Sequence, residues 1–550
     1  MGNSAEDMEE RFPWTYPIVF SPTDDTALYT ASQHLFRSTD EGASWEKISP
    51  DLTRADDETL GPSGGPITLD QTGIETYGTV FTVAPSRHES TTIWTGSDDG
   101  LVHVTRDLGK SWTDVTPPDL PDFTRISLIE ASQHNAGTAY LAGNRYQLSD
   151  RTPYVFKTHD YGRTWVKITT GIRITDFARV IREDPVRPGL LYLGTEHGVY
   201  ISFDDGGHWE SLQMALPVAS VQGLVVEGDD LVIGTHGRGF YVLDDIEVLR
   251  QYEPDIVARP LHLFRPSDVT RTVDPGVVID YYLGHSTEAL TIEILDSTGG
   301  IVRRFKGAVE DRGDSLPFGS SSLRIRTDEG LHRVHWDLRY PDAIGFEGMI
   351  LYWPVNPVLR GPLAPPGEYK IRLRGNGKSI THPVRILRDE RLSNVTDQDL
   401  QDQFTLSQQV IEKLNKANQK VVLIRMLKDT IMDRVSLIQD ADLVLDGVSL
   451  VDAMTSVEGE IYQYRNQSRQ DPLNFPIKLN NQLAGLLGVI QSADAAPTVQ
   501  SYAVFDELSA RLNELLGSLS GLITGELASF NARLRENGIE EISWDISLAW

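Results

Sequence analysis

From residue 12 to about residue 250 the apolar positions fall in runs of three to five, separated by turns rich in Gly, Asp and Asn. Such runs predict short, half-buried strands. They group in fours: 17–20, 28–31, 35–37 and 45–48, then 79–83, 93–95, 101–105 and 112–115. The next groups are 125–129, 139–142, 154–157 and 165–168, then 178–182, 190–193, 199–202 and 209–212. A fifth group follows at 222–226, 231–233, 239–243 and 246–249. After Pro254 the grouping ends. The runs 277–283, 290–295, 301–305, 330–337, 369–374 and 380–387 predict a β-sandwich, with a hairpin turn at 296–300 and Pro365-Pro366-Gly367-Glu368 leading into a strand. The segment 341–364, rich in Pro and aromatic residues, is expected as a long loop packed on that sandwich. From Asp397 the apolar period changes from two to about 3.6. Phe404, Ile411, Leu414, Val421, Ile424, Ile431 and Val435 form one helical stripe, and further helices are predicted at 450–465, 477–492 and 498–536.

An internal repeat sharpens the first region. The stretch Ser202-Phe203-Asp204-Asp205-Gly206-Gly207-His208-Trp209 fits S/T-x-D-x-G-x-x-W/F, and the pattern recurs at Ser38–Trp45, Thr105–Trp112 and Thr158–Trp165. Asp40, Asp107, Asp160 and Asp204 stand 67, 53 and 44 residues apart. The last interval matches a minimal blade of ~40–45 residues, so the longer two carry insertions, chiefly at 51–78 and 144–152. Each motif closes the hairpin between the third and fourth strands of a unit. The Asp side chain accepts hydrogen bonds from turn amides. Gly takes a conformation that a Cβ would penalise. Trp45, Trp112, Trp165 and Trp209 cover the gap to a neighbouring strand. Four short strands per unit, repeated, predict a β-propeller.

These residues resemble the Asp-box, or bacterial neuraminidase, repeat. LVHVTRDLGKSW, LYLGTEHGVYISFDDG and LVIGTHGRGFYVLDD are similar to the sortilin-type BNR-repeat propeller proteins of bacteria, often labelled glycosyl hydrolases. DPLNFPIKLNN at 471–481 extends the resemblance to their C-terminal part, and PPGEYKIRL resembles the Ig-like modules of exported bacterial enzymes. Pattern and resemblance together give a mainly β chain with an α-helical C-terminal part. It is divided into an Asp-box β-propeller at 12–252, an Ig-like β-sandwich at 260–388 and an α-helical bundle at 395–540. The resemblance further implies an extracellular or periplasmic location and correspondence to the C-terminal half of a longer chain. A partner chain or missing N-terminal blades would then complete the propeller.

Charge and composition narrow the partners. The formal net charge is −29, which argues against nucleic acid, whose binding needs clustered Lys and Arg. There is no Cys, which removes disulfides, thiolate metal sites and cysteine nucleophiles together. No run reaches the ~18 apolar residues that would span a bilayer. The N-terminal MGNSAEDMEERFPW is acidic and lacks the apolar core of a signal peptide. The loop at 61–66 lacks the Lys and helix of a phosphate-binding signature, and no H-E-x-x-H occurs. His332 and His335, three apart on one strand, point to opposite faces. No metal and no cofactor are expected.

Strands of a propeller alternate in direction, so the motif turns mark one face and the second-to-third-strand loops mark the other. The second face is expected to carry His34, Asp98, Asp99, Arg145, Tyr146, Glu196, His197, His236 and Arg238, together with Asp70, Glu75 and Tyr77 from the long insertion. Loops held on a rigid scaffold are where binding residues concentrate. Carboxylates, imidazoles, guanidinium groups and an aromatic ring suit a peptide or a glycan. Asp98 or Asp99 with Glu196 is the candidate carboxylate pair for glycoside hydrolysis. The same residues also read as tight turns, Asp98-Asp99-Gly100 and Glu196-His197-Gly198. A sialidase would need an arginine cluster, a Tyr nucleophile and an F/Y-R-I-P segment. Leu35-Phe36-Arg37-Ser38 is not that segment. Three functions stay open: recognition of a peptide or glycan at the cell exterior, glycoside hydrolysis, and a structural role in assembly.

Overall fold

The computed structural model describes residues 5–64, 69–70, 76–272, 276–307, 324–352, 359–468 and 470–543. They form two compact units, 1–250 and 251–550. Unit one is a β-propeller of five consecutive antiparallel sheets, here called blades. Blade one has strands Ile18–Phe20, Leu28–Ala31, Leu35–Ser38 and Glu46–Lys47, and blade two has Val80–Pro85, Ile93–Ser97, Val102–Thr105 and Thr113–Asp114. Blade three has Arg125–Ala131, Ala139–Arg145, Asp150–Thr158 and Val166–Lys167, and blade four has Ala178–Glu183, Leu191–Thr195, Val199–Ser202 and Glu210–Ser211.

Blade five differs from the sequence expectation. It has only Val221–Glu227, Asp230–Thr235 and Phe240–Leu243, and the fourth strand expected at 246–249 is replaced by a helix, Glu247–Gln251. The reason is local. No hairpin motif follows Leu243. Instead Asp245, at φ 52°, accepts the Glu247 N–H at the helix start. One turn on, Arg250 delivers its Nε to Asp184 Oδ2 at 3.0 Å and its Nη1 to Asp229 Oδ1 at 2.6 Å.

In blades two to five the inner hairpin carries a register shift near the start of its first strand, between Val80 and Thr82, Ile126 and Leu128, Ala178 and Val180, and Val221 and Gly223. A bulge bends a strand and re-aims its side chains. Each shift faces a glycine, Gly96, Gly143, Gly194 or Gly234. A Cβ at Gly96 would stand 2.4 Å from Ile126 of the next blade, so glycine permits the blades to approach. Apolar clusters join each blade to the next: Tyr29 and Leu35 meet Val80 and Ile93, while Trp94 and Val102 meet Ile126 and Leu141. Tyr140 and Val155 meet Ile181 and Leu193, and Tyr192 and Ile201 meet Leu224 and Ile233. The two outer faces of the array have no such cover. Ile18 and Phe20 of blade one are 60% and 69% exposed, and Phe240 and Val242 of blade five are 84% and 50% exposed, so the five blades do not close on each other.

Unit two pairs a β-sandwich with helices. A three-stranded sheet, Leu261–Leu263, Val277–Leu283 and Gly330–Trp336, faces a six-stranded one built on Leu290–Leu295, Gly367–Gly375 and Lys378–Leu387. Ile279, Tyr281, Ile292, Phe305, Trp336 and Ile371 fill the space between. On the strand Gly330–Trp336, His332 is buried and His335 exposed. The first helix, Asp397–Val435, begins with a capping box between Thr396 and Asp399. Of the stripe read from the sequence, Ile411, Leu414, Val421, Ile424 and Ile431 are buried. The second helix is Ala441–Ile461, earlier than expected, and the third is Leu479–Ile490. The last stretch is not one α-helix: Val499–Gly521 passes through a wider π-helical turn, Leu522–Leu527, before Ala528–Glu536. A partial correction concerns 341–364. Ala343, Phe346, Leu351 and Leu359 pack into the helical core with Leu414 and Val421, while Leu363 and Ala364 at its end pack on the sandwich. Apolar side chains spaced along an irregular segment satisfy either surface, so composition alone did not decide this. Residues 353–358 lie outside the described ones.

Candidate recognition site

The motif turns fix which face is which. In all four, the residue after the Asp and the Gly beyond it have positive φ, as in Glu41 at 59° and Gly42 at 86°, or Asp205 at 59° and Gly206 at 82°. The Asp spans the turn. Asp107 Oδ1 accepts the Ser111 N–H at 2.8 Å, and Asp160 and Asp204 accept the Thr164 and His208 N–H groups at 2.9 and 2.8 Å. Hydrogen bonds from the side chain and backbone of Ser44 hold Asp40 down to about 2, and similar bonds lower Asp107, Asp160 and Asp204. These carboxylates are consumed by their turns.

On the opposite face lies a cavity of about 660 Å³. Its floor and walls come from the inner strands and the insertion: Tyr77, Phe81, Asp98, Phe123, Arg125 and Arg145. Trp14 and Leu148 stand at its rim, 67% and 54% exposed. Arg125 lies over the Phe81 ring, 5.0 Å from its centroid. Its Nε is buried and has no hydrogen-bond partner among the described residues, as is true of Arg145 Nε and Thr76 Oγ1. Arg145 is otherwise held by Asp150, whose Oδ2 accepts from Nη1 at 2.9 Å. Burial would raise the Asp150 carboxyl, but hydrogen bonds from Tyr154, Thr152 and Arg145 bring it to about 2.

Asp98 lines this cavity and is 4% exposed. It accepts the Thr79 N–H at 2.8 Å and the Thr79 hydroxyl at 2.9 Å, which ties the end of the insertion to blade two. Burial, and then the neighbouring Asp99, push its carboxyl up to about 7 against those bonds. Asp99 accepts from Ser97 Oγ at 2.6 Å and from Arg54 N at 2.9 Å, and burial raises it too. Tyr77 is raised by burial and by both carboxylates.

Other expected residues sit elsewhere. Glu196 is outside the cavity lining and is engaged by Arg179 Nη2 at 2.6 Å and Ser220 Oγ at 2.8 Å. Arg179 lies over Tyr146, which stacks on Phe177 with ring centroids 5.1 Å apart. His197 Nδ1 is 2.7 Å from Asp176 Oδ1, and His34 Nδ1 is 2.9 Å from Glu10 Oε2. His236 and Arg238 are exposed in the turn after Thr235. The structure therefore brings Asp98 and Arg145 together and leaves Glu196 in a separate cluster with Tyr146. The side chain of Asp70 and the whole of Glu75 lie outside the described residues. Sequence reasoning missed Arg125, Phe81 and Phe123. The available signal was Arg125 itself, a cation at the first position of an inner strand.

Among the described residues no group of three or more metal-binding side chains is found, and no helix is long and apolar enough to cross a membrane. No family model and no curated protein matches this sequence. Solved structures similar to it include an ancestral GH74 enzyme, at 14% identity over 69% of this chain and 47% of that one, with a TM-score of 0.33. They also include YCF48 bound to D1 peptide, at 14% identity over 69% of this chain and 96% of that one, TM-score 0.28. A third is the Swd1 β-propeller domain of Myceliophteria thermophila, at 14% identity over 60% and 98% of the two chains, TM-score 0.30. The chain spans about half the length of the GH74 enzyme it matches (47%).

Proposed function

We propose that unit one is a recognition module that binds an anionic peptide or acidic glycan in the cavity around Arg125, at the cell exterior. One observation carries this reading: a guanidinium on an aromatic wall whose Nε is buried without a partner among the described residues. A buried donor left unmet costs about 1–3 kcal/mol, which a ligand carboxylate returns on binding. A planar guanidinium fork matches a carboxylate in shape as well as charge. Tyr77, Phe81 and Phe123 supply apolar surface beside it. Glycoside hydrolysis is the second reading, favoured by Asp98 being pushed up to about 7, as an acid catalyst requires. It is the weaker one, because Asp98 is the sole carboxylate in the described lining and hydrolysis uses two.

The test is a binding panel on the intact chain: acidic oligopeptides and uronate oligosaccharides against their amidated or neutral counterparts, by calorimetry. Binding of the acids, lost about tenfold to a hundredfold in Arg125→Gln, supports recognition. Equal binding of acids and neutral analogues refutes it. Reducing ends released from any glycan, and abolished in Asp98→Asn, would move the assignment to the hydrolase.

A further inference from the structure

The repeated Gly and Trp of the motif act between blades, and one copy is unused. Trp112 Nε1 donates to the carbonyl of Ile48 at 3.0 Å, Trp165 Nε1 to that of Val115 at 2.6 Å, and Trp209 Nε1 to that of Ile168 at 2.9 Å. Each acceptor belongs to the preceding blade and stands three residues after that blade's own motif Trp. The motif glycine presses on the same residue. A Cβ on Gly109 would lie 2.2 Å from Ile48 O, and one on Gly162 or Gly206 would lie 2.6 Å from Val115 or Ile168. Blade n+1 thus grips the outer strand of blade n through one apolar residue and its carbonyl.

Blade one carries the same grip with nothing in it among the described residues. Gly42 meets only Trp45, at 3.5 Å, and Trp45 is 41% exposed where Trp209 is 1% exposed. Ile18 and Phe20 continue this bare face inward, at 60% and 69% exposure. Blade five cannot fill it from a second copy, because blade five has no fourth strand to present the required carbonyl. Its own outer face is also bare and apolar, at Val225, Val242 and Phe240. The gap is narrow. Ile18 and Phe20 of blade one and Val225 and Glu227 of blade five line one axial cavity of about 540 Å³ together with the inner strands between them.

We propose that the gap between blades five and one is the docking site of a β-blade from a partner chain. Its fourth strand presents an apolar residue, with a free backbone carbonyl, to Gly42 and Trp45. Bare strand edges and apolar faces are a liability that proteins cover, and the three filled grips define what covers this one. The inference is independent of the ligand at Arg125.

The probe is a duplicate of blade four, residues 176–217, joined through a flexible linker to the N-terminus of the full chain, which supplies the blade at high local concentration. Leu212 in the duplicate stands where Ile48, Val115 and Ile168 stand in the filled grips. The expected result is at least tenfold slower hydrogen exchange at residues 18–20 and loss of acrylamide access to Trp45, read as the difference from Trp45→Phe. Trp45→Ala, or Leu212→Asp in the duplicate alone, returns exchange at 18–20 to the unfused rate. Unchanged exchange and unchanged access to Trp45 in the fusion overturn the proposal. So does protection that survives both substitutions, because it would come from a contact other than the grip.

Discussion

The indole N–H of Trp209 donates to the backbone carbonyl of Ile168, 2.9 Å away and one blade earlier, and Trp209 is 1% exposed. Trp45 occupies the same motif position in blade one, is 41% exposed and grips no preceding blade among the described residues. Trp209→Ala removes a large buried ring and orphans a carbonyl, so it should destabilise unit one by about 3–5 kcal/mol. Trp45→Ala should cost less than about 1 kcal/mol in the isolated chain, as for most exposed sites. Urea unfolding followed by circular dichroism gives both values, and equal losses would contradict the assigned grip.

Gly42 and Gly109 have nearly the same backbone, φ 86° and 85°, but only Gly109 presses on a neighbouring blade. Alanine at either position pays the same left-handed strain, about 1 kcal/mol. Gly109→Ala must in addition displace the Ile48 carbonyl, at a further cost of about 1–3 kcal/mol. The difference in midpoint between the two variants isolates inter-blade packing from turn strain. A difference near zero would show that the glycines serve their turns alone.

Asp98 gives a pH dependence whose sign follows from its direction. Its carboxyl is raised to about 7 from the ordinary 3.8. Between those values the folded chain keeps a proton that the unfolded chain has released. Stability contributed by this group is therefore full below about pH 4, falls as pH rises, and levels off above about pH 7. Asp98→Asn removes this slope. The variant should gain on the parent by up to a few kcal/mol across that window, each pH unit being worth at most about 1.4 kcal/mol. Thermal melts at pH 4.5 and 7.5 decide it: a parent-to-variant gap that does not change with pH would contradict the raised carboxyl.

How far the sequence led depended on whether a pattern was local. The motif turns were legible because Asp40, Asp107, Asp160 and Asp204 bond to amides four residues on, within one loop. The face opposite them was legible because strand direction alternates. What Trp209 touches was only half legible. Its partner Ile168 is 41 residues away, and nothing in either residue names the other. Arg125 was missed for the same reason. Its significance is an Nε without a partner among the described residues, which no spacing encodes. Blade five misled because Ile246 to Leu249 is apolar enough for a strand, while the buried demand of Asp184 for Arg250 selects a helix. Asp98 and Glu196 looked alike as loop acids, yet one is buried beside a cavity and the other is held by Arg179 outside it.

That Arg250 contact makes a final test of how unit one is fastened at its last blade. Arg250 and Asp184 have side chains 3% and 0% exposed, and Asp184 also accepts the N–H groups of Val186 and Arg187 at 2.8 Å each. Removing one member of a buried pair costs about 3–5 kcal/mol, although Arg250 keeps Asp229 Oδ1 and the Gly228 carbonyl when Asp184 is lost. Asp184→Ala should be the worse variant, since it also leaves two backbone donors unmet. Arg250→Met should cost less, because those two N–H groups still hold the Asp184 carboxylate. The double variant should be less destabilised than the sum of the two, with a coupling of about 1–3 kcal/mol. Additive losses in urea unfolding would show that the helix Glu247–Gln251 is held by its apolar contacts, with Ile246 and Leu249 in the blade-five core, rather than by the ion pair.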